Sequence, residues 1–344
     1  MKRYKTDSIL LGLAVLFGGL TILPMPVSAG EASQEPQAGE PKSNITPGFK
    51  LIDGDIQVPE GWFDPLVQMA YNTFLWPNES VPYEFDANVS AANQTNMLNA
   101  MAQWTAICGV QFVSLSSESN YVHIQNSTGN NSPVGMVGGQ QIINISSWTS
   151  TFIIAHELGH CLGLYHEHQR PDRDTFITVT TSNVQGGTNG QIYLNNFPTI
   201  GAAHGYGRYD FDSVMHYGRC AFSVCCPAGT FCNCASNCET MTVLGDNFAP
   251  WNNVIGHLSH LSTLDKLIMR LLYGYSTDRH LDITYSGTSQ GTFIQPWNMS
   301  FSSALQSTPA NGTLFIQPGN YSAIGSYNVP RTVRAPIGLV RLGT

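Results

Sequence analysis

The stretch from Thr151 to Asp174, TFIIAHELGHCLGLYHEHQRPDRD, constrains this chain more than any other. A helix advances roughly 100° per residue, so His156 and His160, four positions apart, project from one face about one turn from each other. Two imidazoles can therefore hold a single metal ion. Glu157 lies beside the first histidine and can reach a water on the metal without occupying a coordination position, as a general base must.

A third imidazole follows at a longer spacing. Gly163 comes three residues after His160, where a left-handed turn would end the helix and return His166 toward the metal. Three neutral imidazoles leave a tetrahedral zinc ion one open position for water, whose pKa zinc lowers from about 15.7 to near 7. A buried helix that contains histidines by chance is the alternative, but it does not account for the extended spacing. We therefore predict one Zn²⁺ in a catalytic domain.

Two motifs identify a resemblance to a known family. His166-Glu167-His168-Gln169-Arg170 with Asp172-Arg173-Asp174 resembles the extended signature of the astacin family of zinc endopeptidases, and Ser213-Val214-Met215-His216-Tyr217 resembles its Met-turn. The residues after the third histidine and in the Met-turn favour this family over other metzincins such as the matrixins. The resemblance implies an α+β, two-lobed, metzincin-type zinc peptidase with a twisted, mostly parallel sheet.

The same resemblance implies roles for three further residues. Met215 would form an apolar floor beneath the histidines, and Tyr217 would alternate between binding zinc and stabilising the tetrahedral intermediate. In the family, the freed amino terminus of the mature enzyme folds toward the glutamate after the third histidine, here Glu167. A surface carboxylate is the other interpretation of Glu167.

The amino terminus has the pattern of a secretion signal. Three basic residues precede the apolar run from Ile9 to Leu23, and Val27-Ser28-Ala29 is typical of a cleavage site. We interpret residues 1–29 as a signal peptide cut after Ala29, the alternative being an uncleaved anchor. The protein is then secreted to the extracellular space, with no membrane attachment after signal removal.

Composition argues against two classes of partner. Net charge is −8, and only 11% of residues are charged, against about 25% in typical soluble domains. The chain has no run of Lys or Arg. We therefore expect no binding to nucleic acid or to anionic lipid.

Residues 30–71 have the features of a propeptide. Glu31 to Lys50 is rich in Pro, Gly, Glu and Ser and is predicted to be a flexible linker. Leu51 to Ile56 resembles the Gly-Asp-Ile motif of astacin zymogens, which implies that Asp55 displaces the catalytic water and keeps the enzyme latent. An ordinary Asp-Gly turn is the alternative. Activation would cut between about Pro59 and Leu75.

The catalytic domain is predicted to span residues 72–275. Ser90 to Cys108 has helical apolar spacing, and three segments that begin at Val110, Tyr121 and Gln140 have strand composition. The segment 132–141 resembles the astacin edge strand, which can accept a substrate backbone as an additional strand. A capping pattern at Ser262 predicts a closing helix that runs to Tyr275.

Cysteine is concentrated after the Met-turn. Six cysteines lie between Cys220 and Cys238, and in an exported chain they favour disulfides, with fifteen pairings open. A second zinc site through Cys232 and Cys234 is the alternative. Cys108 occupies what looks like the astacin position for a bridge to the domain's carboxyl end, but no cysteine follows Cys238. Cys108 either bonds to Cys161 or both are buried free thiols.

Residues 276–344 change in character to Thr, Ser, Gly, Pro and Asn with short apolar runs. Gly291 to Pro296 recurs as Gly312 to Pro318, and Thr332 to Pro336 is a partial third copy. Such repeats predict a small all-β, solenoid-like region that docks on the peptidase or on a partner. A β-rich cap with no ligand is the alternative.

These observations together predict a secreted astacin-like zinc endopeptidase, of bacterial type, that acts on proteins or peptides. Glu157 and Tyr217 are the expected catalytic residues, and the three histidines are the expected zinc ligands. A secreted binding or adhesion protein with a vestigial peptidase domain is the competing hypothesis. It predicts a damaged site, whereas the ligands, the base and the tyrosine are all present in the sequence.

Overall fold

The computed structural model describes residues 45–52, 55–59, 74–200, 208–229, 232–323, 330–335 and 340–342. All of them belong to one compact unit, Pro41–Thr344. The predicted signal peptide, most of the predicted linker and most of the region expected to contain the activation cut lie outside the described residues. Within the described residues, no helix combines the length and the apolar character needed to span a bilayer.

The described chain contains fourteen strands and six α-helices. The strands are β1 Phe49–Ile52, β2 Ile56–Pro59, β3 Ser80–Phe85, β4 Gln111–Ser114, β5 Tyr121–Asn126, β6 Ser132–Pro133, β7 Gln140–Ile145, β8 Ile177–Val179, β9 Met241–Val243, β10 Arg279–Leu281, β11 Thr313–Ile316, β12 Gly319–Tyr321, β13 Thr332–Arg334 and β14 Val340–Leu342. The helices are α1 Ala91–Thr105, α2 Thr151–Cys161, α3 Gln191–Asn196, α4 Phe248–Trp251, α5 Thr263–Leu272 and α6 Phe301–Ser307.

A four-stranded parallel sheet supports the helix that carries the first two histidines. Its strand order is β4-β3-β5-β7, and every pair in it is parallel. Helices α1 and α2 pack together in the same core, where Trp104 of α1 donates a hydrogen bond from Nε1 to the carbonyl of Ala155 in α2 at 3.0 Å. Because Trp104 is fully buried, this bond fixes α2 relative to α1. The predicted mostly parallel sheet is confirmed.

The segment from Ile177 to Ile255 has its own apolar cluster and contains the six clustered cysteines. Three disulfides join Cys220 to Cys234, Cys225 to Cys238 and Cys226 to Cys232. The prediction of disulfides is confirmed, and the alternative of a cysteine zinc site is not. Cys108 and Cys161 are buried free thiols.

The end of the predicted flexible linker is ordered and packed, so that prediction is wrong for its last residues. Strands β1 and β2 form an antiparallel pair, and β2 continues in parallel alongside the short strand β6. Thr46 is buried, and its polar groups are satisfied there: its amide donates to Gln57 Oε1 at 2.8 Å, and its hydroxyl accepts from the amide of Ile142 at 2.9 Å. The linker's composition did not reveal these long-range contacts.

The carboxyl-terminal region is not all-β. Strands β10, β11 and β13 form one parallel sheet and β12 and β14 another, but α6 lies between β10 and β11. Ser300 caps that helix, and its apolar side chains are buried at helical spacing. Gly291 to Pro296, the first copy of the sequence repeat, contains no strand, and β11 pairs instead with β10.

This region packs directly on the catalytic region. The guanidinium of Arg270 in α5 donates to both carboxylate oxygens of Asp278, at 2.9 and 3.0 Å. The same carboxylate accepts from the amide of Thr313 at 2.9 Å, and Phe293 packs against the main core. Asp278 therefore joins the closing helix of the catalytic region to the strand β11.

Candidate metal centre

Helix α2 carries His156 and His160 on one face and ends where the third histidine begins its return. Ser150 caps the helix by accepting from the amide of Ile153. Gly163 has φ of 110°, a backbone conformation that favours glycine, and its amide donates to the carbonyl of His160 at 2.7 Å. This turn reverses the chain so that His166 meets the other two rings.

The three imidazoles converge on one point. Nε2 of His156 lies 3.1 Å from Nε2 of His160 and 3.3 Å from Nε2 of His166. Two nitrogens that each lie about 2.0–2.1 Å from a tetrahedral zinc ion are roughly 3.3–3.4 Å apart. The observed separations therefore fit a shared ion of this size.

The protonation of these rings suits metal binding. Nδ1 of His156 donates to the carbonyl of Val214 at 2.8 Å, and Nδ1 of His160 donates to the carbonyl of Leu164 at 2.6 Å. Because a carbonyl only accepts, each Nδ1 carries the proton and each Nε2 offers a lone pair. Burial lowers the pKa of His160 well below its usual value, and the neighbouring histidines lower it further. The imidazole is thus neutral at neutral pH.

Glu157 is the candidate general base. Its side chain is 2% exposed, and among the described residues Oε2 has no hydrogen-bond partner. Burial raises the pKa of Glu157 well above its usual value, and the charge of Asp55 adds to this. A buried carboxyl oxygen left unpaired, one residue after His156 and near enough to Asp55 to feel its charge, fits a group that serves a water on the metal. The residues present therefore fit a catalytic zinc ion.

The Met-turn, Ser213 to Tyr217, lies against this helix. Met215 is buried, and its carbonyl accepts from the amide of Glu167 at 3.0 Å. A Cβ on Gly159 would lie 2.8 Å from Sδ of Met215, so the close approach depends on glycine at this position. The ring of Tyr217 lies 4.4 Å from that of His166, measured between centroids. The importance of Gly159 was not recognised from the sequence, although it lies inside the His-Glu-x-x-His motif.

One buried carboxylate joins the Met-turn to the closing helix. Asp265 is 3% exposed and accepts from Ser213 Oγ at 2.7 Å and from the amides of Val214 and Ser262, each at 2.9 Å. The sequence predicts its capping box with Ser262, which the structure confirms. Its bonds to the Met-turn were not anticipated. Since the carbonyl of Val214 also accepts from His156, this one residue connects Asp265 to a candidate zinc ligand.

Glu167 is buried, so its interpretation as a surface carboxylate is wrong. It accepts from Arg170 Nη1 at 3.0 Å and from the amide of Asp210 at 2.8 Å. Burial raises the pKa of Glu167 to about 8, against the opposing charge of Arg170, and burial raises that of Asp210 to about 6. Both line a cavity of about 30 Å³ that Asp265 and Met215 also line. The cavity is therefore acidic and lies next to the Met-turn.

Asp55 from the predicted propeptide reaches the same centre. Its Oδ2 lies 3.2 Å from Nε2 of His166 and 3.3 Å from Nε2 of His156. The carboxylate and the three imidazoles place their ligand atoms within 4.8 Å of one another. The carbonyl of Asp55 accepts from the amide of Ser132 at 2.7 Å, which anchors it to β6.

Gln57, two residues after Asp55, holds the strand β2 in place. It is 1% exposed, and its Nε2 donates to Asn131 Oδ1 at 2.7 Å and to the carbonyl of Ile142 at 2.9 Å. Together with Thr46, it satisfies both the amide and the carbonyl of Ile142 on the edge strand β7. Sequence analysis did not single out Gln57, because an isolated glutamine carries no motif.

Several known proteins are similar in sequence to this chain. The chain is 32% identical over 217 residues to zinc metalloproteinase nas-15 from Caenorhabditis elegans, a match that covers 62% of this chain and 35% of that protein. It is 32% identical over 239 residues to flavastacin from Elizabethkingia meningoseptica, which covers 64% of this chain and 50% of that protein. It is also 32% identical over 186 residues to astacin-like metalloprotease toxin 1 from Loxosceles intermedia, which covers 52% of this chain and 68% of the toxin. The chain thus spans half or less of the length of the first two relatives.

A family model decides the classification. The model for the peptidase family Astacin matches residues 68–274, which include every histidine of the centre, Glu157 and the whole Met-turn. Asp55 precedes the matched range, and the carboxyl-terminal region follows it. From this match over more than half of its length, together with the geometry of its three histidines, the chain belongs to the astacin family of zinc peptidases.

Proposed function

We propose that this chain is a secreted zinc-dependent endopeptidase, made as a precursor whose own Asp55 occupies the active centre. The observation that carries the proposal is the convergence of Nε2 of His156, His160 and His166, with the buried Glu157 on the same helix as the first two. The names of the relatives, two of which include the word metalloproteinase or metalloprotease, support this activity. The three histidines, Glu157 and Tyr217 are all present, so the centre gives no support to the alternative of a vestigial domain.

The proposed mechanism assigns each step to a residue of this chain. His156, His160 and His166 would hold zinc, which would supply Lewis-acid chemistry toward water and the substrate carbonyl. Departure of Asp55 and the charge of a bound cation would lower the raised pKa of Glu157, which then accepts a proton from the attacking water and delivers it to the nitrogen of the leaving amine. The hydroxyl of Tyr217, whose ring lies against His166, donates a hydrogen bond to the oxyanion as it develops. Substrates are proteins or peptides, bound in extended form along the edge near β6.

Latency is proposed to depend on Asp55. Its Oδ2 lies among the ligand nitrogens, where it takes the position that water would need during catalysis. The bonds of Gln57 and the pairing of β2 with β6 hold that strand in place, which supports the masking role over an ordinary turn. A cut within residues 60–73 would release the carboxylate of Asp55 and open the edge near β6 for substrate.

The amino terminus created by that cut has a candidate site. Glu167, Asp210 and Asp265 line one cavity next to the Met-turn, and burial raises the pKa of each carboxyl. An ammonium group that entered this cavity would stabilise the charged carboxylates. We propose that the mature amino terminus pairs with Glu167. The carboxyl-terminal region is proposed to act as a cap docked on the peptidase, or on a partner.

Glu157→Gln tests the proposed activity. The variant should bind zinc in the same ratio as the parent and lose peptide hydrolysis by a factor of about 10² or more, because the amide cannot accept the proton. The assay incubates processed protein with a peptide library, with and without a zinc chelator, and sequences the fragments. Glu84→Gln on β3 is the matched control and should cut normally. Normal cutting by Glu157→Gln would remove Glu157 from the mechanism.

A further inference from the structure

A second cluster of candidate metal ligands lies behind the Met-turn. Asp212 directly precedes the turn, while His257 and His260 lie in the loop before α5. Nε2 of His257 is 3.0 Å from Asp212 Oδ1, and Nε2 of His260 is 3.1 Å from Asp212 Oδ2. The ligand atoms of all three residues lie within 4.8 Å of one another. These separations resemble those among the three histidines of the catalytic centre.

The two rings are stacked rather than aimed at one point, so a shared ion requires one of them, the half-exposed His260, to turn. The imidazoles of His257 and His260 stack with centroids 4.3 Å apart and 12° between their planes. Ser259 Oγ lies 3.1 Å from Nδ1 of each ring. A hydroxyl oxygen has two lone pairs and can accept from both rings. With an ion bound and both Nδ1 atoms protonated, both Nε2 atoms would offer lone pairs to the ion, and a polar group behind a ring is how proteins orient histidine ligands.

Oxygen ligands complete the set. Without an ion, Nε2 of His257 donates to the carbonyl of Asp212 at 2.8 Å and faces Asp212 Oδ1 at 3.0 Å, and a divalent ion would replace this proton between the nitrogen and the oxygens. Two imidazoles with oxygen donors suit zinc and similar divalent ions, whereas calcium and magnesium take oxygen ligands. The side chain of His260 is 51% exposed and that of His257 is 14% exposed, which leaves room for water ligands.

Another histidine of this chain shows what an ordinary carboxylate contact looks like. His123 has Nδ1 2.9 Å from Glu84 Oε1 and Nε2 3.1 Å from Asp86 Oδ2. Its two carboxylates lie at opposite nitrogens of one ring, so no single point is close to every donor. The contrast sets apart the cluster at Asp212, where two rings present the same kind of atom to one carboxylate.

We propose that Asp212, His257 and His260 bind a second divalent cation, of the zinc type, that ties the Met-turn to the loop before α5. This ion would link two segments that Asp265 already joins on the buried side. It would act on stability rather than on the chemical step, and its site is independent of the proposed peptidase activity. The competing explanation is an ion pair, in which protonated histidines face Asp212 and no metal binds.

Metal titration distinguishes these explanations. The full chain carrying Glu157→Gln, which should not digest itself, is loaded with one equivalent of zinc and titrated with further zinc in a calorimeter. The proposal expects a second binding event of one zinc per chain. It also expects a rise in thermal midpoint of about 5 °C when free zinc is about 100 times its Kd.

Two variants and one control locate the second event. His260→Ala changes a half-exposed side chain, and Asp212→Asn keeps the shape of the carboxylate, so both should leave the fold intact. Each should weaken the second event at least about tenfold, since even loss of an outer partner costs about 10–100-fold in affinity. His123→Ala should bind both zinc ions as the parent does. Absence of a second event in the parent, or an unchanged second event in His260→Ala, would overturn the proposal.

Discussion

Asp265→Ala tests how the closing helix supports the metal centre. Truncation removes the acceptor of three hydrogen bonds and leaves the amides of Val214 and Ser262, both in buried residues, without partners. Each buried unsatisfied group costs about 1–3 kcal/mol. Water that enters from the adjoining cavity keeps the total toward the lower end, so we expect a loss of about 3 kcal/mol in the free energy of unfolding.

The matched variant is Asp265→Asn. Its amide oxygen can accept from both backbone amides while its NH₂ donates to Ser213 Oγ, whose hydroxyl can turn to suit. Burial raises the pKa of Asp265, which shows that the charged form is not strongly favoured at this position. We therefore expect Asp265→Asn to stay within about 1 kcal/mol of the parent.

Urea unfolding of the zinc-loaded protein measures both variants, in the Glu157→Gln background to prevent self-digestion. Zinc affinity is measured in parallel by competition with a chelator. Since Val214 also accepts from His156, Asp265→Ala should weaken zinc binding by about 10-fold or more. Equal stability of Asp265→Ala and the parent, or equal losses in the two variants, would refute this account of the Met-turn.

Three further predictions concern the tyrosine, the propeptide and acid stability. Tyr217→Phe should reduce kcat by about 10²-fold with little change in KM, because it removes a donor needed as the oxyanion develops; an unchanged kcat in steady-state assays would remove that role. Asp55→Ala should make the uncut precursor cleave small peptides, whereas Gln57→Ala should give only partial activity, as the ligand remains; a silent Asp55→Ala precursor with normal zinc content would argue against masking. Burial lowers the pKa of His280 to about 3, below about 6.5 in the unfolded chain, so the unfolded state binds the extra proton and stability is lost as pH falls from about 6.5 toward 3. His280→Phe should therefore reduce the loss of unfolding free energy between pH 7 and pH 4 by about 3 kcal/mol in urea titrations, and equal losses in variant and parent would contradict the assignment.

The sequence predicted the local features of the centre because they depend on spacing along one segment. The positions of His156, Glu157 and His160 follow from helical periodicity, and the turn at Gly163 follows from its distance to His166. Three of the four strands of the parallel sheet, β4, β5 and β7, were likewise evident from composition, whereas β3 was not predicted. In each of these cases the residues that decide the structure are close in the chain.

Contacts between segments that are distant in sequence could not be predicted from local spacing or composition. Asp265 could be predicted to cap its own helix, but not to hold a turn fifty residues earlier, and Gln57 has no pattern that announces its bonds to Asn131 and Ile142. Cysteine count alone left fifteen pairings open, and only the fold selects three disulfides. The sequence repeat also obscured helix α6, whose cap at Ser300 and apolar spacing are visible in the sequence.

X-ray diffraction at the zinc absorption edge, on crystals of the protein loaded with one equivalent of zinc, tests the central claim most directly. We expect an anomalous peak about 2.0–2.1 Å from Nε2 of His156, His160 and His166. A peak only at Asp212 or near the disulfides between Cys220 and Cys238, with none among these three nitrogens, would contradict the assignment of the metal centre.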